Sequence, residues 1–164
     1  MSKSILKAFT LIEIIIYMAL FSTLLIVLST LFSTIIDQQF GNKVKSAIET
    51  DYFFITSRIK YESYLADKIL TPSQVGDSSL LFVYEVDGKS RILRSRGNNL
   101  ELIIEDKIYQ LNSSETMFLD ASFKRKGNIE GRQIIEIKAT LSPLSKSKSN
   151  GPLEMNLIFA PFKQ

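Results

Sequence analysis

The sequence predicts an α+β fold: a long N-terminal helix, membrane-spanning in its first half and amphipathic in its second, packed against a C-terminal antiparallel β-sheet. Three observations carry that expectation. Ile14 to Ile36 runs 23 residues without a charge. At 1.5 Å per residue such a helix is roughly 34 Å long, enough to cross the hydrocarbon of a bilayer. No proline occurs before Pro72, so one helix can continue from about Phe9 to Leu70. From Ser79 onward the hydrophobic period becomes two, the period of strands.

Lys3 and Lys7 precede the apolar run without an acid, whereas Asp37, Glu49 and Asp51 follow it against Lys43 and Lys45. That asymmetry places the N-terminus in the cytoplasm and the chain beyond about residue 37 outside. The run also exceeds the apolar region of about 7–15 residues in a cleaved secretory leader. A single-pass membrane protein is expected. Glu13 interrupts this picture, flanked by Leu11-Ile12 and Ile14-Ile15-Ile16. An acid at the edge of hydrocarbon costs a few kcal/mol unless paired, and no Lys or Arg lies within helical reach in the apolar segment. The plain reading is an interfacial Glu favoured by the helix macrodipole; the functional one is an acid awaiting a partner.

Residues 37–70 read as the amphipathic continuation. Phe40, Val44, Ile48, Tyr52, Ile55, Ile59, Ala66 and Leu70 fall in one arc at about 100° per residue, the face expected under a sheet. Phe53, Phe54, Tyr61 and Tyr64 project largely from the other side, as surface aromatics or as packing for neighbouring helices. Gly41 is the weak point of the helix. Residues 71–164 form the β-rich head. Thr71 to Ser78 is a loop containing Pro72 and Gly76, and Leu80–Val86 is a strand ending in the turn Val86-Asp87-Gly88-Lys89. Arg91–Arg96, the turn Gly97-Asn98-Asn99, Leu100–Ile104, Glu105-Asp106 and Ile108–Leu111 continue the hairpins. In the last three strands one face is assigned to Met117, Leu119, Ala121 and Phe123, then to Ile135, Ile137, Ala139 and Leu141, then to Leu153, Met155, Leu157 and Phe159.

Composition narrows the chemistry. The chain of 164 residues has no Cys, His or Trp, which removes disulfides, thiolate nucleophiles, imidazole bases and Cys/His zinc sites. No cofactor or metal pattern is present, and an enzyme is not expected. Ser-x-x-Lys occurs at Ser4–Lys7, Ser57–Lys60 and Ser145–Lys148, without the companion elements of penicillin-binding enzymes. Asn112-Ser113-Ser114 fits a glycosylation sequon.

Lys7-Ala8-Phe9-Thr10-Leu11-Ile12-Glu13, preceded by a short basic stretch and followed by the apolar helix, resembles the class III signal of type IV prepilins and type II secretion pseudopilins. The resemblance covers about residues 3–36. It implies a basic leader at 1–8, removed by prepilin peptidase between Ala8 and Phe9, and N-methylation of Phe9. It leaves 9–36 as the transmembrane and assembly helix. Family members usually carry Gly before the cut, where this chain has Ala8. Glu13 then becomes the fifth residue of the processed chain and the subunit-docking acid. The implied partners are other pilin or pseudopilin subunits, prepilin peptidase, an inner-membrane assembly platform and membrane lipid. The strand-rich, cysteine-free head tilts the expectation toward a minor subunit.

Two other readings stand beside it. Arg91, Arg94 and Arg96, Lys124, Arg125 and Lys126, and Lys146 and Lys148 form three basic groups; converging on one surface, they would bind nucleic acid, as in a DNA-uptake subunit. The formal net charge of +3 falls to +1 without the two leader lysines, which is weak support for that partner. The third reading is a signal-anchored extracytoplasmic domain.

Overall fold

The computed structural model describes residues 10–74, 76–127, 133–144 and 151–162. One helix, α1 (Leu11–Leu65), leads into nine strands: β1 (Lys68–Thr71), β2 (Ser78–Ser79), β3 (Leu81–Val86), β4 (Lys89–Arg96), β5 (Asn99–Ile104), β6 (Lys107–Gln110), β7 (Thr116–Arg125), β8 (Ile135–Pro143) and β9 (Leu153–Phe159). The chain divides into two compact units, one up to Phe40 and one from Gly41 onward. The first is helix alone. The second is an α+β domain in which the later half of α1 packs against two antiparallel sheets.

The helix is continuous through Gly41, since one glycine removes no backbone hydrogen bond. It ends earlier than the proline pattern allowed, at Leu65 rather than Leu70. Tertiary pairing decides this. The Ala66 amide still bonds back to the Glu62 carbonyl, at 3.0 Å, but the Asp67 amide turns to the Glu85 carbonyl, at 2.8 Å. From there β1 runs antiparallel to β3, so Leu70 belongs to a strand.

Instead of the single expected sheet there are two: β1-β3-β4-β5-β6 and β2-β7-β8-β9. In the first, three two-residue turns follow their sequence signals. Asp87-Gly88 has φ of 49° and 77°, and Glu105-Asp106 has 48° and 65°, the doubly positive pattern of type I′ turns. Gly97 leads its turn with φ 60°. Gly88→Ala is expected to cost about 1 kcal/mol, because a Cβ disfavours this left-handed conformation. The midpoint of denaturant unfolding checks it.

The second sheet corrects one face assignment. β8 behaves as its alternation implies, with Ile135, Ile137, Ala139 and Leu141 all buried. On β7, however, Phe118, Ala121 and Phe123 are buried, while Met117 and Leu119 are only half-buried. The register against β8 slips between Leu119 and Ser122, with Asp120 at φ 52°. One extra residue in a strand inverts the facing of everything on one side of it. Period-two reading across the bulge therefore misassigned its N-terminal half. On β9, Met155 and Phe159 are buried as expected, with Leu157 half-buried and Leu153 exposed.

The core joins the sheets to the helix. Phe82 and Tyr84 of β3 meet Phe123 of β7 and Phe159 of β9, with ring centroids 4.7–5.9 Å apart. Ile48, Ile55 and Ile59 of α1 belong to the same buried cluster. Of the predicted helix stripe, Val44 and Tyr52 pack partly against it, and Phe40 is exposed. Phe53, Phe54, Tyr61 and Tyr64 are exposed, with Tyr64 stacked on Phe162 at 5.3 Å.

Candidate functional site

The helix start carries the first arrangement of interest. The Thr10 amide and the Thr10 hydroxyl both donate to Glu13 Oε2, each at 3.0 Å, and the Glu13 amide lies 3.3 Å from Thr10 Oγ1. Thr-x-x-Glu with these reciprocal bonds is a capping box, which satisfies amides that the first turn leaves without partners. Glu13 thus has a local partner that a search for Lys and Arg could not find. Its side chain is otherwise exposed, and Oε1 makes no hydrogen bond among the described residues. Ala8 and Phe9 lie outside the described residues.

The segment that follows is built for an apolar surrounding. Its most hydrophobic 18-residue window has mean hydropathy 2.5, and none of that window is buried. Ser22, Thr23, Thr30 and Thr34 turn their hydroxyls back onto the carbonyls of Met18, Leu20, Val27 and Thr30, at 2.7–2.9 Å. A hydroxyl satisfied within its own helix needs no water, which lowers the cost of placing it in lipid. The helix is long and apolar enough to cross a membrane.

On the domain from Gly41 onward, two acids that the sequence reading passed over anchor the helix to the sheets. Glu62 is 3% exposed. Its Oε2 accepts from Arg91 Nη1 at 2.6 Å and from the Tyr84 hydroxyl at 2.8 Å. Arg58 Nη2 lies 2.7 Å from Oε1, an ion pair one helical turn away, although its angle falls short of a hydrogen bond. Burial, reinforced by the neighbouring Glu62 charge, pushes the Tyr84 phenol well above its usual value, so it stays a donor. Asp51, also buried, accepts from the amide and the hydroxyl of Ser113, each at 2.8 Å, and from the Thr116 hydroxyl. Both acids sit on the apolar stripe: Ile48, Asp51, Ile55, Ile59 and Glu62 are the helix's buried positions. An acid at stripe spacing was the available signal.

The basic groups separate. Arg91 faces inward to Glu62, on the opposite side of β4 from Arg94 and Arg96. Arg94 pairs with Glu101 across the hairpin at 2.7 Å. Arg125 is not on the surface: it is 3% exposed and donates to the carbonyls of Pro72 and Ser73 at 2.9 and 3.1 Å. Two residues beyond Phe123, Arg125 falls on the same inward face of β7 as Ala121 and Phe123. Lys124 remains exposed, and Lys126 lies 3.3 Å from Glu136. Lys146 and Lys148 lie outside the described residues. Pairing or burial withdraws Arg91, Arg94 and Arg125 from contact with a phosphate backbone.

Asn112 is no acceptor for a sugar. It is buried, accepts from the Leu100 amide at 2.9 Å and donates to the carbonyls of Asn98 and Thr116 at 3.2 and 2.9 Å. Ser57 and Lys60 are both exposed on α1, and the other two Ser-x-x-Lys copies lie outside the described residues. Among the described residues no group of acids is arranged to hold a metal ion. No protein-family model, curated protein or solved structure matches this chain.

Proposed function

We propose that this chain is a structural subunit of a type IV pilus or type II secretion-like filament, stored in the inner membrane and polymerised from it. The observation that carries the reading is Glu13, an acid just before the charge-free run Ile14 to Ile36 of a helix long and apolar enough to span a bilayer. The resemblance at Lys7 to Glu13 supplies its role. Cleavage between Ala8 and Phe9 by prepilin peptidase frees an amine whose ordinary pKa, about 7.7–8.0, leaves it largely cationic at neutral pH. Methylation of Phe9 keeps that charge. Glu13 of one subunit meets the Phe9 amine of the next, so each charge gains a partner in an apolar surrounding. Oε1, without a hydrogen bond among the described residues, leaves room for this bond without breaking the cap.

The contact joins two different patches, and repetition of such a contact produces an open helical filament. The N-terminus lies in the cytoplasm before assembly, with the α+β domain outside. The cysteine-free, strand-rich head suits a minor subunit. The dispersed arginines favour this reading over DNA binding.

Intact-mass measurement of the membrane-extracted protein tests the proposal. The expected mass lacks residues 1–8 and carries one added methyl group. A chain still beginning at Met1 overturns the reading.

A further inference from the structure

One basin on the head is bordered by polar groups that the fold leaves unused. It is an open depression of about 500 Å³ between the β4–β5 turn and the segment joining β6 to β7. Both borders are held from behind. The Asn98 carbonyl accepts from the Phe118 backbone amide at 2.8 Å and from Asn112 Nδ2 at 3.2 Å. Ser113 is tied to the buried Asp51 carboxylate of α1. The backbone of both borders is therefore set before any ligand arrives, which removes part of the ordering cost of binding.

Charge in the basin is one-sided. Glu101 is neutralised by Arg94 at 2.7 Å, whereas Arg96 makes no ion pair among the described residues. The Asn98 side-chain amide and the Ser114 hydroxyl also make no hydrogen bond there, and Met117 and Leu144 contribute an apolar flank. We infer that this basin binds an acidic saccharide, Arg96 taking the carboxylate or sulfate while Asn98 and Ser114 bond the ring hydroxyls.

Size and lining argue against the simpler occupants. A water occupies about 30 Å³ of liquid, so a bare inorganic anion fills little of such a volume. Few apolar side chains line it, unlike the usual site for a hydrophobic small molecule. No aromatic ring lines it either, so bases have nothing to stack on. A planar guanidinium beside amide and hydroxyl groups matches one acidic group on a polyhydroxylated body. This inference is independent of the filament reading and stands or falls on its own test.

That test is calorimetric titration of the full chain in detergent with uronic-acid and sulfated disaccharides, a neutral disaccharide and inorganic phosphate. Acidic disaccharides are expected to bind, with neutral sugar and phosphate each weaker by tenfold or more. Arg96→Gln is expected to weaken the acidic sugars by roughly tenfold or more, the worth of a charged hydrogen bond. Lys124→Gln should leave them unchanged. The inference is overturned if no acidic disaccharide binds, if phosphate or neutral sugar binds as tightly, or if Arg96→Gln has no effect.

Discussion

Replacing Glu62 with leucine is expected to destabilise the domain by about 3 kcal/mol. Removal of one member of a buried charge pair typically costs about 3–5 kcal/mol, because the remaining charge is stranded. Here the stranded groups are Arg91 and Arg58, whose side chains are 20% and 33% exposed and can recover some water. The low end of the range therefore applies. The Tyr84 hydroxyl loses its acceptor as well, and it lies among Phe82 and Phe159 with little access to solvent. Thermal unfolding should shift downward by roughly 6–12 °C for a chain of this size. Adding Arg91→Met to Glu62→Leu should restore part of the loss, since the more buried of the two stranded guanidinia is then gone and only Arg58 is left without its carboxylate. A shift within 1–2 °C for Glu62→Leu alone would show that the buried carboxylate contributes little net stability.

On the proposed filament function the largest effect is expected at Glu13, and two substitutions separate its observed cap from its proposed docking charge. Glu13→Ala removes both the cap and the charge; Glu13→Gln keeps an acceptor at the capping position and removes only the charge. Both variants should insert in the membrane normally, since the 23-residue charge-free run is untouched. Neither should enter filaments at more than a few per cent of the wild-type level, because the neighbouring amine then meets no counter-charge. Quantitation of the subunit in sheared filaments against the membrane pool reads this directly. Recovery of assembly by Glu13→Gln would mean that the acid serves only its own helix.

Much of the architecture was legible because it rests on local regularities. The charge-free run, the absence of proline before Pro72 and the turn pairs Asp87-Gly88 and Glu105-Asp106 each act through neighbouring residues. Non-local events were hidden. Asp67 leaves the helix because Glu85 offers a carbonyl, 18 positions along, and nothing near Asp67 announces it. The bulge at Asp120 has no Gly to mark it, so Met117 and Leu119 read as core and Phe118 did not. Arg125 looked like one of three surface cations because its carbonyl partners, Pro72 and Ser73, lie 53 and 52 residues away. Asp51 and Glu62 were readable in principle, as acids at the spacing of an apolar stripe.

By itself, then, the sequence determined the apolar first half and amphipathic second half of the helix, the position of Glu13 at its start, the order of the hairpins and the α+β class. These follow from hydrophobic period and turn chemistry, which act over a few residues. Only the tertiary structure decided that the strands form two sheets, which face of β7 is buried, and which charges are spent in the interior. Those outcomes depend on partners far apart in the chain, whose hydrogen bonds and desolvation are set when the elements pack.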